Sequence, residues 1–374
     1  MPDVIVIGGG VIGLSAAYEL AGQGVSVEIL DQGPLGREAS WAGAGILPPG
    51  NPAYHVSPEQ RLRSLSHSLW RSFSEELQAG TGIDNGYRIS GGIELRLGGS
   101  PDQLAEELAG WEAEGVQVAE RTISALRNLE PAISSEAAAG YRLPDLAQVR
   151  NPRHLKALTA ACAARGVQFS PGTPVLGFDR HHEKIVGVKT PAGIIHAGSF
   201  CLCAGAWSAG LADAIGFQLP IKPVRGQIVL LKSQPLPFSH ILQVGARYLV
   251  PRPDGRVLVG STEENAGFQK RNTTSAVSEL IRFAVRLVPN LADAEVEKCW
   301  SGLRPGSPDG LPFLGRAAGA ENLYIAAGHF RSGLQMSPGT GRLMREMILD
   351  QDLSVPLEGL ECDRFRSKEI PSPV

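Results

Sequence analysis

Val4-Ile5-Val6-Ile7-Gly8-Gly9-Gly10-Val11-Ile12-Gly13 is a β-branched apolar run that leads straight into a GxGxxG spacing. The continuous apolar run fits a strand buried on both faces, Ile12 to Ala21 then switches to helical spacing, and Val25 to Leu30 returns to strand. Each glycine has a mechanical reason. Gly8 makes the tight turn, Gly10 lets backbone approach a pyrophosphate, and Gly13 lets helix and strand pack closely. The pyrophosphate would sit on the helix N-terminus, where free N–H groups and the helix dipole favour an anion. Asp31, closing the second strand, can take ribose hydroxyls. GxGxxG alone is ambiguous; strand, glycines, helix, strand and acid in this order predict a βαβ unit over Met1 to Asp31 that binds the ADP half of a dinucleotide.

Two further segments extend the reading beyond the ADP. Gly36-Arg37-Glu38-Ala39-Ser40-Trp41-Ala42-Gly43-Ala44-Gly45-Ile46 is rich in small residues that can press backbone against a flat ligand, a feature for which a nicotinamide enzyme has no obvious use. Near the other end, Ala326-Ala327-Gly328-His329-Phe330-Arg331-Ser332-Gly333 leads from a strand into a helix ending near Leu349. That gives a second helix N-terminus aimed at the nucleotide domain, whose dipole could stabilise the anion of a reduced flavin.

The 374 residues, 43% hydrophobic and 20% charged, suffice for two domains, each with its own core. A formal net charge of −3 supplies no basic field for nucleic acid or an anionic membrane face, so small molecules are the expected partners. The five cysteines are scattered and form no CxxC pair, which argues against a disulfide framework and against a zinc site, and fits a reducing compartment. Met1-Pro2-Asp3 enters the first strand with no basic n-region, and no window reaches the roughly 18 apolar residues of a spanning helix. A cytoplasmic protein is expected.

Downstream, Pro58 to Gln78, Pro101 to Glu114, Pro152 to Ala164 and Ala276 to Leu287 read as helices, three of them with proline near the first turn. Gly92 to Leu97, Ile185 to Val188, Phe200 to Cys203, Gln227 to Leu231, Tyr248 to Val250, Val257 to Gly260 and Leu323 to Ala326 read as strands. Those between Gln227 and Gly260 are split by turns too short for crossover helices, and should be antiparallel. The predicted fold class is therefore a Rossmann-type α/β nucleotide domain interleaved with an α+β domain built on an antiparallel sheet. Residues 1–82, 151–220 and 321–374 are assigned to the first, and 83–150 and 221–320 to the second. The tail after Pro356, with Arg364, Lys368 and two late prolines, is expected to be loosely ordered.

With these segments in hand, the chain resembles the FAD-dependent amine oxidases that include D-amino acid oxidase and monomeric sarcosine oxidase, and within them the glycine oxidases of thiamine biosynthesis. The resemblance rests on the opening fingerprint, Ala39-Ser40 with Ala44-Gly45-Ile46, Thr173-Pro174-Val175, Ala204-Gly205-Ala206-Trp207-Ser208, Pro223-Val224-Arg225-Gly226-Gln227, Tyr248-Leu249-Val250-Pro251-Arg252, Trp300-Ser301-Gly302-Leu303-Arg304-Pro305 and Gly328-His329-Phe330-Arg331. It implies that Val11, Ile12, Asp31, Gln32, Ala39, Ser40, Ala44, Gly45 and Ile46 contact FAD, that Val175 meets the adenine, and that His329, Phe330, Arg331, Ser332, Gly333, Leu334 and Gln335 border the flavin ring. It further implies that Arg304 binds the substrate carboxylate, that Tyr248 shares it, and that Arg331 lies between substrate and flavin. Ser332 stands where an Asn is common, and Ala246 replaces a polar side chain seen in a relative, so the identity of the amine stays open. A homo-oligomer is implied as well.

The chemistry follows from what an amino acid offers, a carboxylate to anchor and an α-carbon hydride to remove. The anchor calls for a fork-shaped cation, and hydride transfer for a flavin N5 about 3–3.5 Å from the carbon. Gly302 and Pro305 suggest that Arg304 sits on a turn. A neutral amine can drive the hydride off with its own lone pair, which suits a sequence with no Ser/His/Asp set, no placeable carboxylate pair and no HExxH. The imine would hydrolyse to a 2-oxo acid, glyoxylate in the case of glycine, with ammonia, and molecular oxygen would give hydrogen peroxide. His181-His182 reads as a solvated turn, Cys201 and Cys203 as buried small hydrophobes, and His329 as a flavin neighbour through backbone only. Cys299 is offset from the position where a relative binds flavin covalently, so FAD should be noncovalent. The alternatives are a D-amino acid dehydrogenase passing electrons to a quinone or protein acceptor, an NAD enzyme, and a flavin-binding protein without activity.

Overall fold

The computed structural model describes residues 1–98 and 104–365. The opening unit forms as expected, with strand Val4–Ile7 lying between Val27–Asp31 and Ser199–Leu202, parallel to both. Ile5 and Val6 are fully buried and Val4 and Ile7 nearly so, the reason this strand is written as an unbroken apolar run. The sheet runs in the order Phe313–Arg316, Leu323–Ala327, Ser199–Leu202, Val4–Ile7, Val27–Asp31, Gln168–Pro171. Only the edge pair of Phe313–Arg316 with Leu323–Ala327 is antiparallel. Helices Val11–Ala21, Pro58–Thr81, Asn151–Ala164 and Gly333–Ile348 share one core with this sheet. Small residues let them approach: a Cβ on Gly341 would lie 2.8 Å from the Ser15 backbone. A three-stranded meander, Gly177–His181, Lys184–Thr190 and Gly193–His196, packs on the other face through Phe178, Ile185 and Val188. His181 and His182 form its first, exposed turn.

A second sheet runs Glu295–Gly306, Lys222–Lys232, Arg256–Gly260, Arg247–Pro251, Ile241–Val244, Gly92–Leu97, Ala137–Leu143. Its strands between Lys222 and Gly260 are antiparallel, as their short turns require. The one parallel pair joins Ile241–Val244 to Gly92–Leu97, segments too far apart in sequence for a hairpin to dictate direction. One face packs on helix Thr274–Leu287 through Leu280, Phe283 and Leu287. The other carries Ile228, Tyr248, Val250 and Leu258, so Tyr248 and Val250 do face the same way. The chain thus combines a Rossmann-type parallel sheet with an α+β unit on a largely antiparallel one, as the sequence implied.

Several expectations need correction. Arg304 is on no turn: it lies within the twelve-residue strand Glu295–Gly306, paired with Val224. Pro305 fits there because this is an edge strand, where a missing N–H costs no ladder bond on the open side. The boundary drawn after residue 320 cuts a hairpin, since Phe313–Arg316 pairs with Leu323–Ala327 in the nucleotide sheet. The tail after Pro356 is docked as far as Phe365: Leu360 and Cys362 are buried, and Arg364 bonds the Asp309 carboxylate and the carbonyls of Leu311 and Pro312. Lys368 and the prolines after it lie outside the described residues, as do the first three residues of the helix expected from Pro101, which is seen as Ala105–Ala113. Among the described residues no helix is long and apolar enough to cross a membrane, and no cluster of His, Cys, Asp or Glu could hold a metal ion.

Candidate active site

One cavity of about 710 Å³ is lined by residues from the ends of the parallel strands and from the seven-stranded sheet. Gly8, Gly10, Val11, Ile12, Asp31 and Gln32 line one end, with Val175 nearby in sequence to the flanking strand. Gly8 holds φ 107°, and a Cβ there would lie 2.5 Å from the Cys203 carbonyl oxygen. Gly10 is different. Its backbone is extended (φ −74°, ψ 179°) and a Cβ would meet only Ser40 Oγ at 3.2 Å, so the protein itself would accept a side chain that a ligand would not. Gly13 does not line the cavity; a Cβ there would lie 1.9 Å from the Gly8 carbonyl, which makes it the packing glycine of the turn. The Asp31 carboxylate accepts from the Gly9 and Gly33 amides at 2.8 and 2.9 Å. Burial raises its pKa and these two bonds offset part of the rise.

The small-residue run is pinned from behind. Ser40 Oγ accepts from the Val11 amide at 2.9 Å, and Asn151 Nδ2 donates to the Ser40 carbonyl at 2.8 Å. Arg252, 5% exposed, donates to the carbonyls of Ala44 (2.7 Å) and Val149 (3.1 Å) and to Gln148 Oε1 (2.7 Å). Burial pulls its pKa down to about 9, still well above neutrality. Gly45 takes φ 75°, where a Cβ would strike the Val149 carbonyl oxygen at 2.0 Å. Ala39, Ser40, Ala44, Gly45 and Ile46 consequently hold their free sides to the cavity.

The loop entering helix Gly333–Ile348 also lines the cavity, with His329, Phe330, Arg331, Ser332, Gly333, Leu334 and Gln335 all on the wall. Phe330 adopts φ 45°, a left-handed conformation of the kind that concentrates at functional sites. His329 is buried, its Nε2 sits 3.0 Å from Thr340 Oγ1, and burial depresses its pKa to about 3. The ring is therefore neutral near pH 7 and committed to a structural bond. Pro338 leaves the Leu334 carbonyl without its helical donor, and Ser337 Oγ supplies one at 2.8 Å.

Another part of the wall comes from the seven-stranded sheet. Arg304 Nη1 donates to the Thr262 carbonyl (2.9 Å) and Nη2 to Ser261 Oγ (2.6 Å). Three of its five N–H donors are left, and among the described residues no carboxylate pairs with it. Burial lowers its pKa; Tyr248 acts in the opposite sense, Arg331 lowers it further and Glu263 raises it. A half-buried cation in a cleft with no ion-pair partner is suited to receive an anion. Two glycines make room for the pair. A Cβ on Gly226 would lie 2.4 Å from the Arg304 guanidinium, and one on Gly260 2.4 Å from the Tyr248 ring. Arg331 stands half exposed at the mouth, paired with Glu263.

Residues the sequence reading passed over also line the cavity. They are Asn151, Arg63, Gln243 and Ser261. Only the meeting of distant segments reveals them. Cys203 lines the wall, whereas Cys299 packs against the core of the seven-stranded sheet. Asn151 Oδ1 and Gln335 Oε1 are buried and have no hydrogen-bond partner among the described residues.

Residues 3–347 match the family model described as FAD dependent oxidoreductase. A glycine oxidase of Pseudomonas putida is 37% identical over 347 residues, which cover 92% of this chain and 94% of that one. The bifunctional protein ThiO/ThiG of Synechocystis sp. is 34% identical over 378 residues, 99% of this chain and 55% of that protein. Among solved structures, glycine oxidase from Geobacillus kaustophilus superposes with a TM-score of 0.93 at 31% identity, covering 97% of this chain and 98% of that one.

Proposed function

The chain belongs to the FAD-dependent oxidoreductase family, and from that premise we propose that it oxidatively deaminates a small amino acid, glycine foremost, with sarcosine and small D-amino acids as further substrates. For glycine, the amino acid, oxygen and water would give glyoxylate, ammonia and hydrogen peroxide. The observation that carries this reading is Arg304: a half-buried guanidinium with donors to spare and no carboxylate partner among the described residues, on the wall of the cofactor cavity. An α-carboxylate satisfies it with a charge-assisted, bidentate contact that fixes orientation. The similarity to glycine oxidases and to ThiO/ThiG supports a role in forming the thiazole of thiamine.

The cavity fits FAD on its own features: the side-chain-free approach at Gly10, the carboxylate of Asp31, and the pinned run from Ala39 to Ile46. We assign residues 1–82, 151–220 and 321–374 to holding it, with Phe313–Arg316 added, and 83–150 with the rest of 221–320 to the substrate side. The site residues are those named from the sequence, with Gly13 acting through packing. Cys299 is away from the cavity wall, in keeping with noncovalent binding. When bound, FAD supplies the two-electron acceptor for the hydride that leaves the α-carbon. Arg304 and Tyr248 hold the carboxylate so that this carbon faces inward. Neutral His329, tied to Thr340, takes no proton from the substrate.

An anaerobic titration tests this. The purified protein should be yellow, absorbing at about 450 nm as flavoproteins do, and glycine, sarcosine or D-alanine should bleach it, with L-alanine far less effective. A colourless protein would overturn the cofactor assignment. A yellow protein that none of these amines bleaches would overturn the substrate class.

A further inference from the structure

We propose that Glu263 is a specificity-determining residue: by pairing with Arg331 at the cavity mouth it closes a second anion site, so that amines with one carboxylate are preferred over amines with two. This rests on the functional reading above.

Two guanidinium groups, Arg304 and Arg331, line the same cavity, yet they are in opposite states. Arg304 is half-buried, hydrogen-bonded to the neutral oxygens of Thr262 and Ser261, and without a carboxylate partner among the described residues. Arg331 already has one. Its Nη1 lies 3.1 Å from Glu263 Oε1, and Nη2 donates to the Ala246 carbonyl at 3.2 Å, in the turn between strands Ile241–Val244 and Arg247–Pro251.

The direction of Glu263 follows from its neighbour. Glu264 is anchored inward: its carboxylate takes donors from Arg225, Gln227 Nε2 and Thr262 Oγ1, and its backbone exchanges hydrogen bonds with Arg225 in both senses. With Thr262 holding Arg304 and Glu264 holding Arg225, the residue between them is left to reach the mouth. A substrate with a second carboxylate would have to displace Glu263 from Arg331 and would meet its repulsion on entry. Since the pair is half exposed, with side-chain exposures of 39% and 37%, the penalty should be modest.

The test compares the FAD-loaded wild type with Glu263→Gln and Glu263→Asp. Iminodiacetate and sarcosine differ by the second carboxylate, and Glu263→Gln should raise the ratio of their kcat/KM values roughly three- to tenfold, with the gain shrinking in high salt. Anaerobic titration with malonate and acetate, followed by the absorbance of the bound flavin, should show malonate tightening over acetate by a similar factor. Glu263→Asp, which keeps the charge, should stay near wild type in both assays. Ratios in Glu263→Gln within twofold of wild type, or Glu263→Asp behaving like Gln, would overturn the proposal. If the wild type oxidised neither glycine nor sarcosine, the functional reading would fall, and the malonate titration would still decide whether Glu263 masks Arg331.

Discussion

Arg304 shows how much a single residue can say and where its message stops. Its type and neighbours pointed to a carboxylate anchor, but the turn inferred from Gly302 and Pro305 is an edge strand, because strand pairing with Lys222–Lys232 overrides the local breaking tendency of both residues. Removing the guanidinium should cost about 2–5 kcal/mol of binding and orientation, on the order of 30- to several-thousand-fold in kcat/KM. Steady-state kinetics of Arg304→Ala with glycine, alongside the flavin content of the purified protein, check this; the flavin should stay bound. Buried histidines give a second expectation. His154 and His329 both have pKa values depressed by burial from 6.5 to about 3. Between these values the unfolded chain binds protons that the folded chain refuses, so their stabilisation is complete above about pH 6.5 and declines as pH falls toward 3. From pH 7.5 to 5.5 the two together should cost about 2–3 kcal/mol. Urea melts at the two pH values measure it, and His329→Asn should flatten part of the slope.

At the level of elements, glycines separate folding from binding. Gly13→Ala drives a Cβ into the Gly8 carbonyl and should lower the melting temperature by several degrees whether or not flavin is bound. Gly10→Val meets no backbone obstacle, so it should fold yet purify with little flavin; thermal melts and absorbance spectra of the two variants distinguish them. Gly226→Ala crowds first the end of the flexible Arg304 side chain. It should leave flavin content and melting temperature close to wild type while lowering kcat/KM for glycine roughly tenfold or more, the scale of a misplaced anchor. The βαβ unit was legible because its strand, glycines and acid are contiguous. Strand Ala137–Leu143, Ala-rich with a central glycine, and strand Glu295–Gly306, which begins polar and exposed, carry little local β signal. They become strands through partners that lie far away in sequence. Asn151 and Glu263 escaped notice for the same reason, since each acquires meaning only from what another segment brings beside it.

The whole molecule sets two sheets of different kinds against one cavity. The parallel sheet contributes turns and helix ends suited to a nucleotide, and the antiparallel sheet contributes a flat wall on which Arg304 and Tyr248 lie over glycines. Loop residues 262–270 tie the two together at the rim, through Glu263 to Arg331, Phe268 against Trp207, and Lys270 to Glu38. What this division of labour should produce is an enzyme that takes electrons from an amino acid held by the second sheet and passes them to oxygen at the first. The most direct test supplies the FAD-loaded protein with glycine in air and measures oxygen uptake, glyoxylate, ammonia and hydrogen peroxide together. The expected result is one of each product per oxygen consumed. Glycine-dependent reduction of a quinone or dye without peroxide would contradict the oxidase assignment, and no glyoxylate under any acceptor would contradict the amino-acid reading itself.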